Sequence, residues 1–294
     1  MQKILITGTS GYLGSNLINK LSHKKYNILG VDKKKNLNNN KHVKFLQTDI
    51  RKLKIPKSFY PDVIIHVGSL NSEKFYKKNP IGSYNLDINS TLKILEIASV
   101  YKVKNLIFAS SEWVYGDHNK YKILKENTLI EKSAIKSFYA LSKIISEDLI
   151  KIFYENKLIK NYIILRLGIF YGKRKKPNSA VEGIFNDIKN NKEVIINGSL
   201  KSSRKFIHVD DISQAIIKSI NLKKPHTLNI AGTSLISLKE IIKNSATILK
   251  KNYLVKNYNK NNLVVRNVSN KLSKKILRCS PSISFINGIK KLLH

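Results

Sequence analysis

The sequence predicts an α/β protein whose main body is a doubly wound parallel sheet, followed by a smaller C-terminal α/β region. Three observations carry that reading. Short apolar runs alternate with helix-period segments through the first two-thirds of the chain. A glycine-punctuated turn joins the first run to the first helix. The chain has 294 residues, 42% hydrophobic and 25% charged, which suits one or two domains around a sizeable core. Alternating strands and helices need crossover connections, and right-handed crossovers place helices on both faces of a parallel sheet.

Residues 3–7 (KILIT) read as a buried strand, and residues 12–24 carry Leu13, Leu17, Ile18 and Leu21 at a helical period. Further strands are expected at 27–31 (NILGV), 43–48, 62–67 (DVIIHV), 105–110 (NLIFAS) and 162–167 (YIILRL). Helices are expected at 81–101 and 137–155. After Gly172 the rhythm loosens. Residues 173–176 form a basic loop before Pro177, 181–190 a helix, and 194–196 a short strand before the Asn197-Gly198 turn. Residues 205–209 read as extended, 212–220 as helical, 227–231 (TLNIA) as a strand returning to the sheet, and 238–249 and 284–293 as helices. The Lys- and Asn-rich residues 250–262 read as a surface stretch. The expected division is 1–170, with its sheet completed by part of 205–232, and 171–294.

The formal net charge is +35, from 48 Lys and 6 Arg against 19 acidic residues. The lysines are scattered and travel with 32 Asn and 42 Ile against 8 Ala, the signature of A/T-rich codons. Arg, the residue suited to bidentate phosphate and base contacts, is scarce, so no nucleic-acid partner is expected. The field should still favour anionic ligands. One cysteine, Cys279, excludes a disulfide framework and a cysteine-based zinc site, and no metal is expected. The opening MQKILITGTSG lacks a signal peptide's long apolar core, and no apolar stretch of about 18 residues exists. A cytoplasmic protein with no membrane association is the expectation.

Thr7-Gly8-Thr9-Ser10-Gly11-Tyr12-Leu13-Gly14 links strand to helix with G-x-x-G-x-x-G spacing. Such a turn lets the backbone approach a pyrophosphate, while the helix N-terminus offers N–H groups to the anion. Gly8, Gly11, Tyr12, Leu13 and Gly14 are therefore candidate dinucleotide-binding residues. Asp32, ending the second strand, is suited to the adenosine ribose hydroxyls and predicts tighter binding of NAD than NADP. Lys33, Lys34 and Lys35 oppose that preference. Asp49 and Ile50, after the third strand, are placed to meet the adenine. Tyr139 and Lys143 share a helix face at i, i+4 spacing. A neighbouring ammonium is expected to lower the tyrosine's pKa toward general acid–base work. Ser110-Ser111 ends the fifth strand, where such sheets bind ligands. His66 reads as a core residue beside the cofactor.

These segments resemble the extended short-chain dehydrogenase/reductase family, in particular its NAD-dependent sugar-nucleotide epimerase/dehydratase group. The resemblance spans the chain: TGTSGYLG (7–14), DVIIH (62–66), SSEWVYG (110–116), YALSK (139–143), ILRLGIFYG (164–172), SRKFIHVDD (203–211) and LRCSPSISFINGIKKL (277–292). It implies a Rossmann sheet with a substrate region, Ser111, Tyr139 and Lys143 as the catalytic set, Arg204 on the nucleotide's phosphates, Glu112 near the substrate, and a homodimer. His208, Asp210 and Asp211 read as structural, with an aspartate capping the helix that follows. The family often has Ala-Ala at Gly68-Ser69, Asn at Asp87, Asn at Ile169 and Gly at Arg278; none of these departures is expected to touch the catalytic set. Dehydratases of the group resemble one another in an acid two places before the V-Y-G tyrosine, where this chain has Trp113. The leading expectation is epimerisation of a sugar nucleotide by transient oxidation of a sugar hydroxyl. Reductase, dehydrogenase and dehydratase activities stand as alternatives, and an NAD- or RNA-binding protein of the same fold as the non-enzymatic one.

Overall fold

A computed structural model describes residues 1–21, 25–35, 43–70, 73–118 and 121–293. The chain forms two compact units. The first comprises Met1–Val114, Ile135–Arg166 and Ser213–Leu228; the second comprises Tyr115–Ala134, Leu167–Ile212 and Asn229–His294.

The strands of the main sheet are β1 (Gln2–Thr7), β2 (Tyr26–Asp32), β3 (Val43–Gln47), β4 (Val63–His66), β5 (Asn105–Ser111), β7 (Tyr162–Leu167) and β12 (His226–Ile230). Their order is β12-β7-β5-β4-β1-β2-β3. The pairings β1–β2, β2–β3, β1–β4 and β4–β5 are parallel. Ile4, Leu5 and Ile6 in β1 and all four residues of β4 are buried, as strands covered on both faces must be. The order reverses beside β1, between β2 and β4, which is where such sheets open a crevice at their carboxyl ends. The helices are α1 (Tyr12–Lys20), α2 (Glu73–Lys78), α3 (Pro80–Val100), α4 (Phe138–Glu155) and α6 (Val209–Ser219). Asn79 caps α3 by accepting from the Gly82 N–H, with Pro80 in the first helical turn where its missing N–H costs nothing. Leu5, Leu29, Ile64, Leu95, Leu106 and Ile164 belong to one continuous core. The helix expected over 12–24 ends at Lys20, and residues 22–24 lie outside the described residues.

The second unit holds short strands: β6 (Ile123–Leu124), β8 (Phe170–Tyr171), β9 (Val194–Asn197), β10 (Ser203–Arg204), β11 (Ile207–His208), β13 (Ile236–Ser237), β14 (Val255–Tyr258) and β15 (Val265–Val268). Its helices are α5 (Ala180–Lys189), α7 (Leu238–Leu249), α8 (Lys271–Leu277) and α9 (Phe285–Lys290). Capping boxes, Ser179 with Glu182 and Ser237 with Glu240, start α5 and α7. Val181, Phe185, Ile196, Ile241 and Ile289 share the core beneath them.

Three expectations change here. The surface stretch at 250–262 contains β14, paired in parallel with β9; its alternating VKNY pattern is polar enough to hide a strand. The extended segment at 205–209 shortens to β11, and α6 begins at Val209. Asp211 spends its carboxylate on the C-terminal segment, accepting from Ser282 N at 2.9 Å, Ser282 Oγ at 2.8 Å and Ile283 N at 3.1 Å.

Candidate active site

The turn after β1 works only with glycine at two positions. Gly8 sits at φ +74°, and a Cβ on it would fall 2.5 Å from Gly68 Cα. A Cβ on Gly14 would fall 2.1 Å from the Gly8 carbonyl oxygen. Gly11 is the N-cap of α1 and supplies no side chain, so the first turn's N–H groups keep their capacity for an anion. The Thr9 hydroxyl is buried there with no hydrogen-bond partner among the described residues. Tyr12, Leu13 and Gly14 begin the helix. Asp32 accepts from Ser10 N and Lys34 N, each at 2.9 Å and one per oxygen, leaving lone pairs on both. The three lysines after it are exposed. This glycine cradle, the uncapped helix end and the carboxylate at the end of β2 fit a dinucleotide.

Asp49 is otherwise engaged. It caps the short 3₁₀ turn Ile50–Lys52 and is gripped by Arg51, with Nε to Oδ1 at 3.0 Å and Nη2 to Oδ2 at 2.6 Å. That side-chain bond holds its pKa down to about 2. The carboxylate expected at the adenine is oriented by an arginine two residues away. Ile50 lies against Gly68, where an added Cβ would meet its Cδ1 at 2.7 Å.

Ser111, Tyr139 and Lys143 come together where β5 ends against the start of α4. The Ser111 hydroxyl, which accepts from Trp113 N at 3.3 Å, lies near enough to Tyr139 to favour its phenolate. The Tyr139 ring is flanked edge-on by Trp113 and Tyr76, each at a centroid distance of 6.2 Å. The Lys143 side chain is buried, its ammonium 5.7 Å from the Tyr139 ring centroid and 4.9 Å from that of Phe108. The expected lowering of the tyrosine's pKa is absent: desolvation raises it to about 12, the nearby Ser111 hydroxyl draws it down and Asp87 raises it further. Lys143 donates instead to Ser69 Oγ at 2.9 Å and to the Ala109 carbonyl at 3.1 Å. Burial pushes its own pKa down, opposed by Asp87 and Glu147. Below the set, Glu147 receives Ser110 Oγ at 2.5 Å and the Arg166 fork at 3.0 and 2.7 Å. His66, buried beside Thr7 Oγ1 at 2.7 Å, is driven to about 3 by desolvation and then by Lys143.

Two residues read as departures therefore do touch the set. Ser69 carries the Lys143 ammonium, and its hydroxyl lies 3.2 Å from Asp87 Oδ2. Sequence reasoning also missed Glu73, which accepts from Ser137 Oγ, Phe138 N and Tyr139 N at 2.5, 3.2 and 3.1 Å and so fixes the start of α4. Glu112, expected near the substrate, has 0% exposure at the head of the 3₁₀ turn Glu112–Tyr115.

In the second unit, Arg204 on β10 donates to the Ser203 and Val264 carbonyls at 3.0 and 2.8 Å. Its register partner on β15 is Arg266, buried and bonded to the Gly116 carbonyl at 2.9 Å and to Asp117. Sequence reasoning passed over Arg266; the signal was a rare Arg inside an apolar run.

A nucleotide cradle at the reversal of a parallel sheet, with serine, tyrosine and lysine gathered one strand further on, is the plan of an extended short-chain dehydrogenase/reductase. Residues 4–231 match the NAD dependent epimerase/dehydratase family, and the chain belongs to it. NAD is the cofactor of that family. A putative UDP-glucose 4-epimerase of Methanocaldococcus jannaschii is 32% identical over 82% of this chain and 81% of its own length. A UDP-glucuronate 4-epimerase of Thermodesulfobacterium geofontis is 24% identical over 99% of this chain and 94% of its own. The fold matches the crystal structure of UDP-glucuronic acid 4-epimerase from Bacillus cereus in complex with UDP-glucuronic acid and NAD, with a TM-score of 0.89 at 23% identity over 99% of this chain and 97% of that one.

Proposed function

We propose that this chain is an NAD-dependent sugar-nucleotide epimerase that inverts a sugar hydroxyl carbon, C4 by its relatives' names. The observation that carries the reading is Tyr139 gathered with the buried Lys143 ammonium, 5.7 Å from its ring, beside Ser111 at the end of β5. Tyr139 takes the proton of the reacting hydroxyl and returns it, Ser111 bonds the reacting oxygen, and Lys143 holds the cofactor's ribose and the phenol's surroundings. The glycine turn, the α1 N-terminus and Asp32 hold the dinucleotide, which when bound accepts a hydride from the sugar carbon and gives it back to the opposite face. Arg204 meets the nucleotide phosphates with its donor fork. Trp113, where dehydratases of the group have an acid, and the buried Glu112 speak for inversion over loss of water.

The test is incubation with a panel of UDP- and dTDP-sugars, read by mass spectrometry and proton NMR. An epimer of unchanged mass is expected. A product lighter by one water makes the chain a dehydratase, and a change of two hydrogens a dehydrogenase or reductase. Tyr139→Phe should lower turnover by about 10²-fold or more while NAD binding persists; a fully active variant removes Tyr139 from the mechanism. Among the described residues no helix is long and apolar enough to cross a membrane. The reading includes a cytoplasmic homodimer, supported by exposed Ile81 and Val100 on α3 and Phe138, Leu141 and Ile152 on α4. Light scattering measures its mass.

A further inference from the structure

The groups that face Lys143 can be sorted by charge. From β4 comes His66, kept neutral by burial. From β5 come the Phe108 ring and the Ala109 carbonyl. From α4 itself come Tyr139 and Glu147, and from α3 Asp87. Tyr76 of α2 lies behind Asp87. Glu147 is already matched: it holds the Arg166 guanidinium in a fork and has the Lys151 ammonium at 3.8 Å. Asp87 is not matched in that way. Its carboxylate, 4% exposed, takes Leu70 N at 2.9 Å, the Tyr76 hydroxyl and the Ser69 hydroxyl at 3.2 Å, whose one hydrogen is shared with the Leu70 carbonyl at 2.8 Å; all are neutral donors. A buried carboxylate needs a counter-charge, and Ser69 leads to one, since its oxygen receives the Lys143 ammonium at 2.9 Å. The Tyr76 hydroxyl has one hydrogen, which goes either to Asp87 or to Ser142. Ser142 Oγ lies 2.7 Å from the Tyr76 hydroxyl and donates to the Tyr139 carbonyl at 2.9 Å. Ser69 thus touches both Asp87 and the Lys143 ammonium.

We propose that Asp87, acting through Ser69, is a positioning residue that keeps Lys143 an ammonium and sets the pH window in which Lys143 and Tyr139 work. The inference rests on the reading of those two residues given above. A negative charge at Asp87 favours the ammonium and disfavours the phenolate. Proton loss from Tyr139 and from Lys143 then both lie at higher pH than a neutral residue would put them; with NAD bound, its positive nicotinamide ring would draw the phenol down, leaving Tyr139 as the acid limb of the activity profile and Lys143 as the alkaline one.

The test combines two readouts on Asp87→Asn and Ser69→Ala. The affinity for NAD, titrated calorimetrically from pH 6 to 10, reports the alkaline limb without turnover; kcat against pH with the epimerised UDP-sugar reports both limbs. Asp87→Asn should move every limb down by about one pH unit. Ser69→Ala, which keeps the charge but breaks the link, should move the alkaline limb the same way by less. A lower plateau with unmoved limbs in Asp87→Asn overturns the proposal, and unmoved limbs in Ser69→Ala do so should Asp87→Asn fail to fold. Lys143→Met separates the two readings. Loss of the alkaline limb of NAD affinity upholds the role of Lys143 whatever Asp87→Asn does, and persistence of that limb overturns the role of Lys143 and this proposal with it.

Discussion

His66 illustrates what the interior beneath the glycine turn demands of a single side chain. Its ring is enclosed by Thr7 and Phe108, with the Lys143 ammonium close enough to be felt. Both surroundings penalise a second positive charge, and the folded-state pKa falls to about 3. In the unfolded chain a histidine keeps an ordinary value near about 6.5. Between those two values the unfolded chain binds the proton and the native one does not. Stability from this residue is therefore complete above about pH 6.5 and drains away as the pH falls toward 3, at up to about 1.4 kcal/mol per pH unit. His66→Asn, which can still meet Thr7, should flatten the acid side of a urea-unfolding stability curve between pH 6 and 4. An unchanged slope would assign the acid sensitivity to the carboxylates instead. Asp49 does not confuse that window, because its own contribution is lost between its ordinary value of 3.8 and about 2.

At the scale of elements, α4 depends on a cap brought from elsewhere in the chain. Ser137 accepts from Ala140 N in the usual way, and Glu73, the first residue of α2, covers the same helix end from outside. A carboxylate there satisfies orphan N–H groups and opposes the helix dipole. Glu73→Ala should cost about 1–2 kcal/mol in chemical denaturation. Combined with Ser137→Ala it should cost less than the two single losses together, because they share one hydrogen bond; strict additivity would mean that the cap is not a unit. This contact marks the limit of what the sequence discloses. The runs KILIT, DVIIHV and YIILRL were readable as strands because burial on both faces leaves no polar alternation to blur them. Helix α3 begins one residue before its expected start, at a proline that announces it. Tyr139 and Lys143 stand out by their spacing and Ser110-Ser111 by the strand end, while the choice of Ser111 came from the family resemblance. The Ser69–Lys143 bond, the Glu73 cap and the Asp211–Ser282 bond join residues 74, 64 and 71 positions apart, where no local pattern points. Strand β14 escaped for a compositional reason: Lys and Asn are so common here that a strand carrying them looks like loop.

On the scale of the whole molecule, the same composition makes arginine informative. Lysine outnumbers it 48 to 6. Four of the six arginines do what an ammonium does poorly, spreading two or more nitrogens of a planar fork over carboxylates or carbonyls: Arg51, Arg166, Arg174 and Arg266. Arg166→Lys, buried against Glu147, should therefore lose about 2 kcal/mol in urea denaturation although the charge is kept. Lys104→Arg, at an exposed ion pair, should stay within about 0.5 kcal/mol. Equal effects would show that charge alone matters at both sites. The interleaving of the two units bears on how the chain is made. It leaves the first unit after Val114, returns at Ile135, leaves after Arg166, and returns once more for Ser213–Leu228. Strand β7 is next to last in its sheet, and its outer neighbour β12 lies far downstream in the chain. At roughly 5–20 residues per second, several seconds of translation separate the two. Throughout that interval the nascent sheet presents β7 as a bare apolar edge, a template for any passing strand. The ribosome's pace, not the finished fold, sets how long that edge stays uncovered.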